Sequence, residues 1–379
     1  MSPSQKPDAH SKRKTEVSES GTGRGASKES KSNDQGMTSV SVSRLRRTQM
    51  ANCAYLFYLH GKGLSQKTIA SRLKIDASQV SRLLQQARES GMVSISLNLS
   101  RDEEIELELA RKFELRDARV LHVPSAPEAS ELAILKEYLG REAARYVEES
   151  SIIRPGMRIG ISCGQTLLEM ALELPRHKFQ NLDLAPLTVE SHPAYAHQAP
   201  STIIGIWGAK SLGKTEIYGP QLPHLRPKFF KDHSDAFEGV VDDIHHELHA
   251  RLDQRDVLIV GIGAFPDDEG DSGYTAILKD AKISKDEFEK IGIVGDINNR
   301  PYDSLGHDYF DQFDNLRLYT WSASLKYMES MAARKPVIAV AGGPEKVESI
   351  RVALTRRFVN ILVTDEETAL ALLQKTPEA

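Results

Sequence analysis

Between Met50 and Gly91 the apolar residues fall into three short stripes at helical spacing. Met50, Cys53, Ala54 and Phe57 stand at i, i+3, i+4 and i+7, and Gly61 and Gly63 close that helix. Ile69, Ala70 and Leu73 form a second stripe, opened by Ser65 as a cap. Val80, Leu83, Leu84 and Ala87 form a third, preceded by Asp76 and Gln79 at the spacing of a capping box. A turn of only three residues joins the second helix to the third. Residues 93–99, VSISLNL, alternate as a strand does.

Beyond Ser100 the pattern changes. An amphipathic segment from Asp102 to Phe113 leads into the apolar run ARVLHV, and apolar strands then alternate with helical stripes: MRIGIS with GQTLLEMALEL, LIVGIGA, IGIVGDI, VIAVAGG with PEKVESIRVALTRR, and NILVTD with EETALALLQ. Such alternation predicts an α/β fold, a mostly parallel sheet covered by helices on both faces. The chain shows no internal repeat. Residues 1–42 are Ser, Gly, Lys and Glu without period and bury too little to offset ordering entropy, so they read as a disordered polar tail, with Met37 an alternative start. The expected organisation is a tail (1–42), a helical DNA-binding domain (43–99) and a large effector-binding and oligomerisation domain (100–379).

Charge separates the two folded parts. Arg44 to Gly91 holds nine Lys or Arg against Asp76 and Glu89, a net of +7, and the first 43 residues hold seven basic and five acidic groups. With −4 for the whole chain of 379 residues, everything after Gly91 carries −13. A small basic module on a large acidic body suits a polyanion partner for the module. The longest apolar run, from Val257, is too short to span a bilayer and the N-terminus has no hydrophobic signal region, so a cytoplasmic protein without a membrane partner is expected. Cys53 and Cys163 stand apart without metal-ligand spacing. They read as buried thiols, with no metal site and no cofactor expected.

Two helices joined by a three-residue turn make a helix-turn-helix. The polar face of the third helix offers Ser78, Gln79, Ser81, Arg82 and Gln85, side chains that read base edges, Gln against adenine and Arg against guanine. An ordinary helical hairpin explains the periodicity but not the basic excess. Lys74 occupies the turn position usually held by a glycine with positive φ, which predicts a strained or altered turn.

In open parallel sheets ligands bind at the carboxyl ends of strands. GISCGQT puts Ser162, Gly164, Gln165 and Thr166 between a strand and a helix, where hydroxyls and backbone N–H groups can cradle an anion. AVAGGPEK does the same, with Gly342 and Gly343 at the turn, Pro344 at the first helical position and Lys346 in the first turn. A lysine there opposes the helix dipole unless an anion binds. Gly261 and Gly263 leave room for close approach, and Asp296 and Asp303 supply carboxylates suited to sugar hydroxyls. Plain structural turns and helix caps are the competing explanation for each of these features.

From about Arg47 to the C-terminus the chain resembles the SorC/DeoR family of sugar-sensing bacterial transcription regulators. The resemblance rests on GLSQKTIASRLKIDASQVSRLLQQARESGMVSISL, ISCGQT, DVLIVGIGAF, GIVGDINNRPYD, VIAVAGGPEKVESIRVAL and VNILVTDEETALALL, in this order. It implies an effector domain similar in fold to sugar-phosphate isomerases and deaminases, binding a phosphorylated sugar. It further implies that Ser162, Gly164, Gln165, Thr166 and Lys346 hold the phosphate, with Gly263 and Asp296 near the sugar. The stretch from Leu182 to His249, with ESHPAYAHQAP and IWGAKSLGK, follows the family less well.

The first reading is therefore a regulator that binds double-stranded operator DNA as a homodimer or homotetramer, its affinity set by a sugar phosphate. The alternative is a sugar-phosphate isomerase or deaminase carrying a DNA-binding head, with Asp296, Asp303, His307 and Asp308 as acid–base groups. No motif pairs a nucleophile with a base.

Overall fold

The computed structural model describes residues 39–374 apart from 62, 94–98, 124–130, 191–192, 219–238, 240–241, 244–245, 253, 266–272, 314 and 317–318. Most of the strand expected over 93–99, and the tail up to residue 38, lie outside the described residues. The chain divides into two compact units, Met1–Leu97 and Asn98–Ala379.

In the first unit α1 (Ser39–Ala54) runs into a single π-helical turn, Tyr55–Leu59. This helix starts four residues inside the stretch expected to be unstructured. Its opening, SVSVS, is made of weak helix formers and gave no helical signal. The wider turn rotates the register, so Leu56 is buried beside Met50, Cys53 and Ala54 while Phe57 packs at the margin. The second helix, α2 (Gln66–Leu73), is capped as expected: Ser65 Oγ accepts from Thr68 N–H at 3.2 Å. The third, α3 (Ala77–Glu89), buries Val80, Leu83, Leu84 and Ala87 against Ile69, Ala70 and Cys53.

The capping box at Asp76 and Gln79 does not form: the Asp76 carbonyl, not its carboxylate, accepts from Gln79 and Val80 N–H. The strain expected at Lys74 is present, because Lys74 closes α2 in the left-handed region with φ 55 and ψ 47. A residue with a Cβ pays about 1 to 2 kcal/mol there. Lys74→Gly is therefore expected to stabilise this unit by about 1 kcal/mol, less the entropy glycine gains when unfolded. A rise in the urea midpoint at unchanged m-value checks it.

In the second unit Asp102 caps α4 (Glu103–Lys112), accepting from Glu104 and Ile105 N–H. The strands, in chain order, are β1 (Asp117–Leu121), β2 (Arg158–Ile161), β3 (Asp183–Pro186), β4 (Thr188–Glu190), β5 (Glu216–Ile217), β6 (Val257–Val260), β7 (Gly263–Ala264), β8 (Ile293–Ile297), β9 (Arg300–Asp303), β10 (Thr320–Ser322), β11 (Val337–Val340) and β12 (Ile361–Asp365). Seven of them form one parallel sheet in the order β1-β12-β11-β6-β2-β3-β5.

Alternation along these strands builds two cores. Ile159, Ile161, Val257, Ile259, Ile338 and Val340 face α5 (Glu131–Glu149), α6 (Gln165–Glu173) and α7 (Pro200–Lys210). Leu258, Val260, Val337, Ala339 and Leu362 join the opposite core. There they meet α4 and three later helices numbered after α8 (Gly273–Asp280) and α9 (Lys285–Ile291), namely α10 (Leu325–Ala332), α11 (Val347–Thr355) and α12 (Glu366–Gln374). Both faces of the sheet are thus covered, as a parallel sheet requires.

One expected strand is placed differently. IGIVGDI becomes β8, the middle of the antiparallel sheet β7-β8-β9, and not a strand of the parallel sheet. The reason is the turn that follows. Asn298 and Asn299 have φ 57 and 61. Two successive left-handed residues make the two-residue hairpin whose twist matches antiparallel strands.

Candidate functional site

On α3 the residues Ser78, Ser81, Arg82 and Gln85 stand at i, i+3, i+4 and i+7, all exposed and opposite Val80, Leu84 and Ala87, with Gln79 half-buried at the flank. Arg82 Nε donates only to the Ser78 carbonyl of its own helix, at 3.4 Å, and Gln85 Nε2 donates to Glu89 Oε1 at 2.8 Å. Both contacts are local and exposed, so they exchange readily for a base edge. Elsewhere in this unit Arg44, Arg46, Arg47, Lys67, Arg72, Lys74 and Arg88 are exposed as well. That density of cations suits phosphate contacts on either side of a groove.

In the second unit chain direction locates the site. From β2 the chain moves through β3 and β5 to one edge of the sheet, and from β6 through β11 and β12 towards the other. The crevice of such a sheet opens where the direction reverses, between the carboxyl ends of β2 and β6. Because β11, β6 and β2 are neighbours, the loops GISCGQT, GIGA and AVAGGPEK meet there. A Cβ on Gly261 would lie 3.6 Å from the Cys163 carbonyl, and β7 packs against the 3₁₀ turn Pro344–Lys346.

Each expected residue has a definite place. Ser162 and Thr166 are buried, while Gln165 is half-buried and hydrogen-bonded through Nε2 to Glu169 one turn on. Gly164 precedes α6 with φ 120, a conformation open to glycine, and α6 has no side-chain cap. Gly263 pairs with Asp296 across β7 and β8, so close that a Cβ there would lie 2.0 Å from Asp296 Oδ1. Lys346 is half-buried at the end of the 3₁₀ turn and serves as N-cap of α11.

Some expectations change. Two loop glycine N–H groups are not free for an anion: Gly343 N–H donates to Asp365 Oδ2 (3.0 Å) and Thr368 Oγ1 (2.8 Å), and Gly164 N–H to the Gln198 carbonyl (3.1 Å). The Glu345 carboxylate folds back over Gly343. Cys163 is only partly buried and lies inside the loop after β2, its thiol 3.7 Å from Asn299 Oδ1.

Asp303 does not present its carboxylate to the crevice as a free group. It accepts from Leu305 N–H, His307 N–H, His307 Nδ1 and Tyr309 OH at 2.9 to 3.2 Å. Burial raises its pKa, but the bonds from His307 and Tyr309 outweigh this and hold the carboxyl below its ordinary range. An acid so stabilised in its ionised form is a poor proton donor. Asp308 is likewise used locally, pairing with Arg300 at 3.1 Å and accepting from Phe310 and Leu325 N–H.

Asn299, Thr188, Thr320, Asp365 and Thr368 also surround these loops, and their spacing along the chain gave no sign of it. The Asn-Asn pair directly after an apolar strand is the one local signal, a turn signal. Among the described residues no group of three or more His, Cys, Asp or Glu is placed to hold a metal, and no helix is long and apolar enough to cross a membrane.

Residues 98–374 match the model of the family described as "Putative sugar-binding domain". The sorbitol operon regulator of Klebsiella pneumoniae is 27% identical over 325 residues, covering 85% of this chain and 96% of that protein. The transcriptional regulator LsrR of Escherichia coli K12 is 28% identical over 333 residues, covering 86% and 94%. The deoxyribonucleoside regulator of Bacillus subtilis is 26% identical over 316 residues, covering 82% and 92%. The crystal structure of full-length SorC from Klebsiella pneumoniae superposes with a TM-score of 0.56 at 24% identity, over 87% of this chain and all of that one, which shows a shared fold.

Proposed function

The chain belongs to the sugar-binding-domain family of SorC/DeoR-type bacterial transcription regulators, and from that premise we propose that a phosphorylated sugar, bound where the loops after β2, β6 and β11 meet, sets its affinity for operator DNA. The protein is a sugar-responsive DNA-binding regulator and not an enzyme. The observation that carries the site assignment is the meeting of three loops at the point where strand order reverses. The half-buried Lys346 and the N-terminus of α6 face the phosphate, and Gly263 with Asp296 faces the sugar hydroxyls. On the DNA side Ser78, Gln79, Ser81, Arg82 and Gln85 read the major groove. The protein works in the cytoplasm, where both sugar phosphates and operators are found.

A short hydrogen-bonded route connects the effector loop with the segment that leads to the DNA-binding unit. Gly343 N–H holds Asp365, the last residue of β12, which pairs in register with Leu121 of β1. Leu121 bridges to Arg101, and His122 N–H donates to the Ser100 carbonyl at 2.9 Å. Glu106 clamps that segment, accepting from Arg101 Nε (2.9 Å) and from Val120 N–H (3.0 Å). A displaced Gly343 loop thereby acts on residues 100–102 through the Asp365 carboxylate, the β12–β1 backbone pairing and the Glu106 clamp. A coupling free energy of about 1 to 3 kcal/mol is the usual size for such a linkage.

One reading helix covers only a few base pairs, so the operator complex needs at least two copies, a homodimer or homotetramer. Light scattering on the fragment from Ser100 onward is expected to report a dimer or larger. A full-length protein that is monomeric at micromolar concentration with and without sugar phosphate counts against it. The effector itself is tested by a thermal-shift screen over glucose 6-phosphate, fructose 6-phosphate, sorbitol 6-phosphate and ribose 5-phosphate, with NMR to follow any conversion. A raised melting temperature with the sugar phosphate unchanged is the expected result, and no shift with any of them removes the phosphorylated-sugar reading.

A further inference from the structure

Asn299 lies at the second position of the β8–β9 hairpin turn, where glycine is the residue best suited to its φ of 61. Its side chain is nevertheless present and buried, 2% exposed. A buried amide is costly unless its polar atoms are bonded. Here they reach three separate elements. Asn299 Nδ2 donates to Thr188 Oγ1 on β4 at 3.1 Å and to Thr320 Oγ1 on β10 at 3.3 Å. Its Oδ1 accepts from the Cys163 thiol in the loop after β2. The backbone N–H of the same residue donates to Asp296 Oδ2 at 3.0 Å, while Asp296 Oδ1 rests against Gly263.

One oxygen of Asp296 is thus held by the Asn299 backbone N–H, and the other occupies space that Gly263 leaves open. The amide in turn ties the turn to the β4–β10 pair and to the β2 loop. Thr188 and Thr320, both fully buried, lie 3.3 Å apart and complete the anchor. We propose that Asn299 is the positioning residue of the sugar-facing half of the effector site, fixing Asp296 and the Cys163 loop relative to each other. The proposal rests on the effector site assigned above. It makes the position of the sugar half relative to the loop after β2 depend on this amide, and leaves the groups that bind phosphate alone, at α6 and Lys346, in place.

Asn299→Gly keeps the backbone N–H and gives the turn its preferred residue, so the hairpin is retained and only the amide anchor is lost. Calorimetry on the full chain, with whichever of glucose 6-phosphate, fructose 6-phosphate, sorbitol 6-phosphate and ribose 5-phosphate binds the wild type most tightly, is expected to show affinity falling about tenfold, the size of a lost coupling between neighbours. Inorganic phosphate, competing for the phosphate half alone, should bind wild type and variant equally. In an Asp296→Ala background the Asn299→Gly loss should vanish, because a residue that acts through the Asp296 carboxylate has nothing left to position. Unchanged sugar-phosphate affinity overturns the proposal. So does an equal loss for inorganic phosphate, or a loss that persists beside Asp296→Ala, since each marks a general structural role. Thr188→Val removes one acceptor without touching the turn and should show a smaller loss in the same direction; if Asn299→Gly does not fold, equal affinity in Thr188→Val overturns the proposal by itself. Wild-type protein that binds none of the four sugar phosphates defeats the effector assignment first, a result recognisable because it appears without any substitution.

Discussion

Arg82→Ala is expected to abolish operator-specific binding while leaving the fold and effector binding as they are. The Arg82 side chain is exposed on the outer face of α3, and its Nε makes one long contact, to the Ser78 carbonyl of the same helix. The residues that hold α3 in place, Val80, Leu83, Leu84 and Ala87, lie on the other side. Truncation therefore removes no core packing and no tertiary hydrogen bond, and stability should stay within about 0.5 kcal/mol. At the groove the guanidinium offers a bidentate contact to a guanine, worth about 1 to 3 kcal/mol in each half-site. Two half-sites double that in a symmetric complex, enough to bring specific binding down to the level of non-specific binding. Competition mobility shifts against random duplex measure it, with circular dichroism to show the fold intact. Unchanged specificity means that another element reads the DNA.

The DNA-binding unit was largely legible because its information is local. Three stripes at helical period and a Ser at the cap position are nearest-neighbour features, and the structure places α2, α3 and the Ser65 cap where they predict. The exceptions are local too. The Asp76 capping box has the right spelling, yet the carbonyl of Asp76 takes the helix N–H bonds instead of its carboxylate. The helix extends back to Ser39 through residues of low intrinsic propensity.

The effector unit was legible in its parallel core and not in its additions. Apolar strands such as VLIV and VIAV, buried on both faces, announce a parallel sheet. A short, mostly apolar strand does not say which strand it pairs with, so the pattern of IGIVGDI does not reveal that it leaves the parallel sheet. The two- and three-residue strands β4, β5, β7 and β10 are too short for any period to show. Gly263 is a place of close approach, and what approaches it is Asp296, 33 residues away along the chain; Gly342, expected as a turn residue, is met by Asp365, 23 residues away. Long-range polar partners of this kind leave no periodic trace. The same applies to Asn299, Thr188 and Thr320, which meet only because β4 and β10 pair.

Lys346→Ala is expected to weaken sugar-phosphate binding by roughly 10- to 150-fold with little effect on stability or on operator binding without effector. The loss corresponds to a charge-assisted hydrogen bond to phosphate of about 1.5 to 3 kcal/mol. The surroundings of Lys346 argue for the upper part of that range. The Glu345 carboxylate folds over Gly343, and Asp365 lies against Gly342 with its Oδ2 bonded to Gly343 N–H, so the loop holds two carboxylates against this one lysine. Without the lysine an incoming phosphate meets acidic groups and a loop whose glycine N–H is already taken. Stability should change little, because Lys346 stands at the N-cap of α11. A cation there opposes the helix dipole by a few tenths of a kcal/mol. Glu345→Gln supplies the opposite sign: removing its negative charge should tighten phosphate binding, whereas simple disruption of the loop would weaken it in both variants. Calorimetry of the three proteins with the same sugar phosphate separates the cases. Equal affinity for wild type and Lys346→Ala places the phosphate elsewhere.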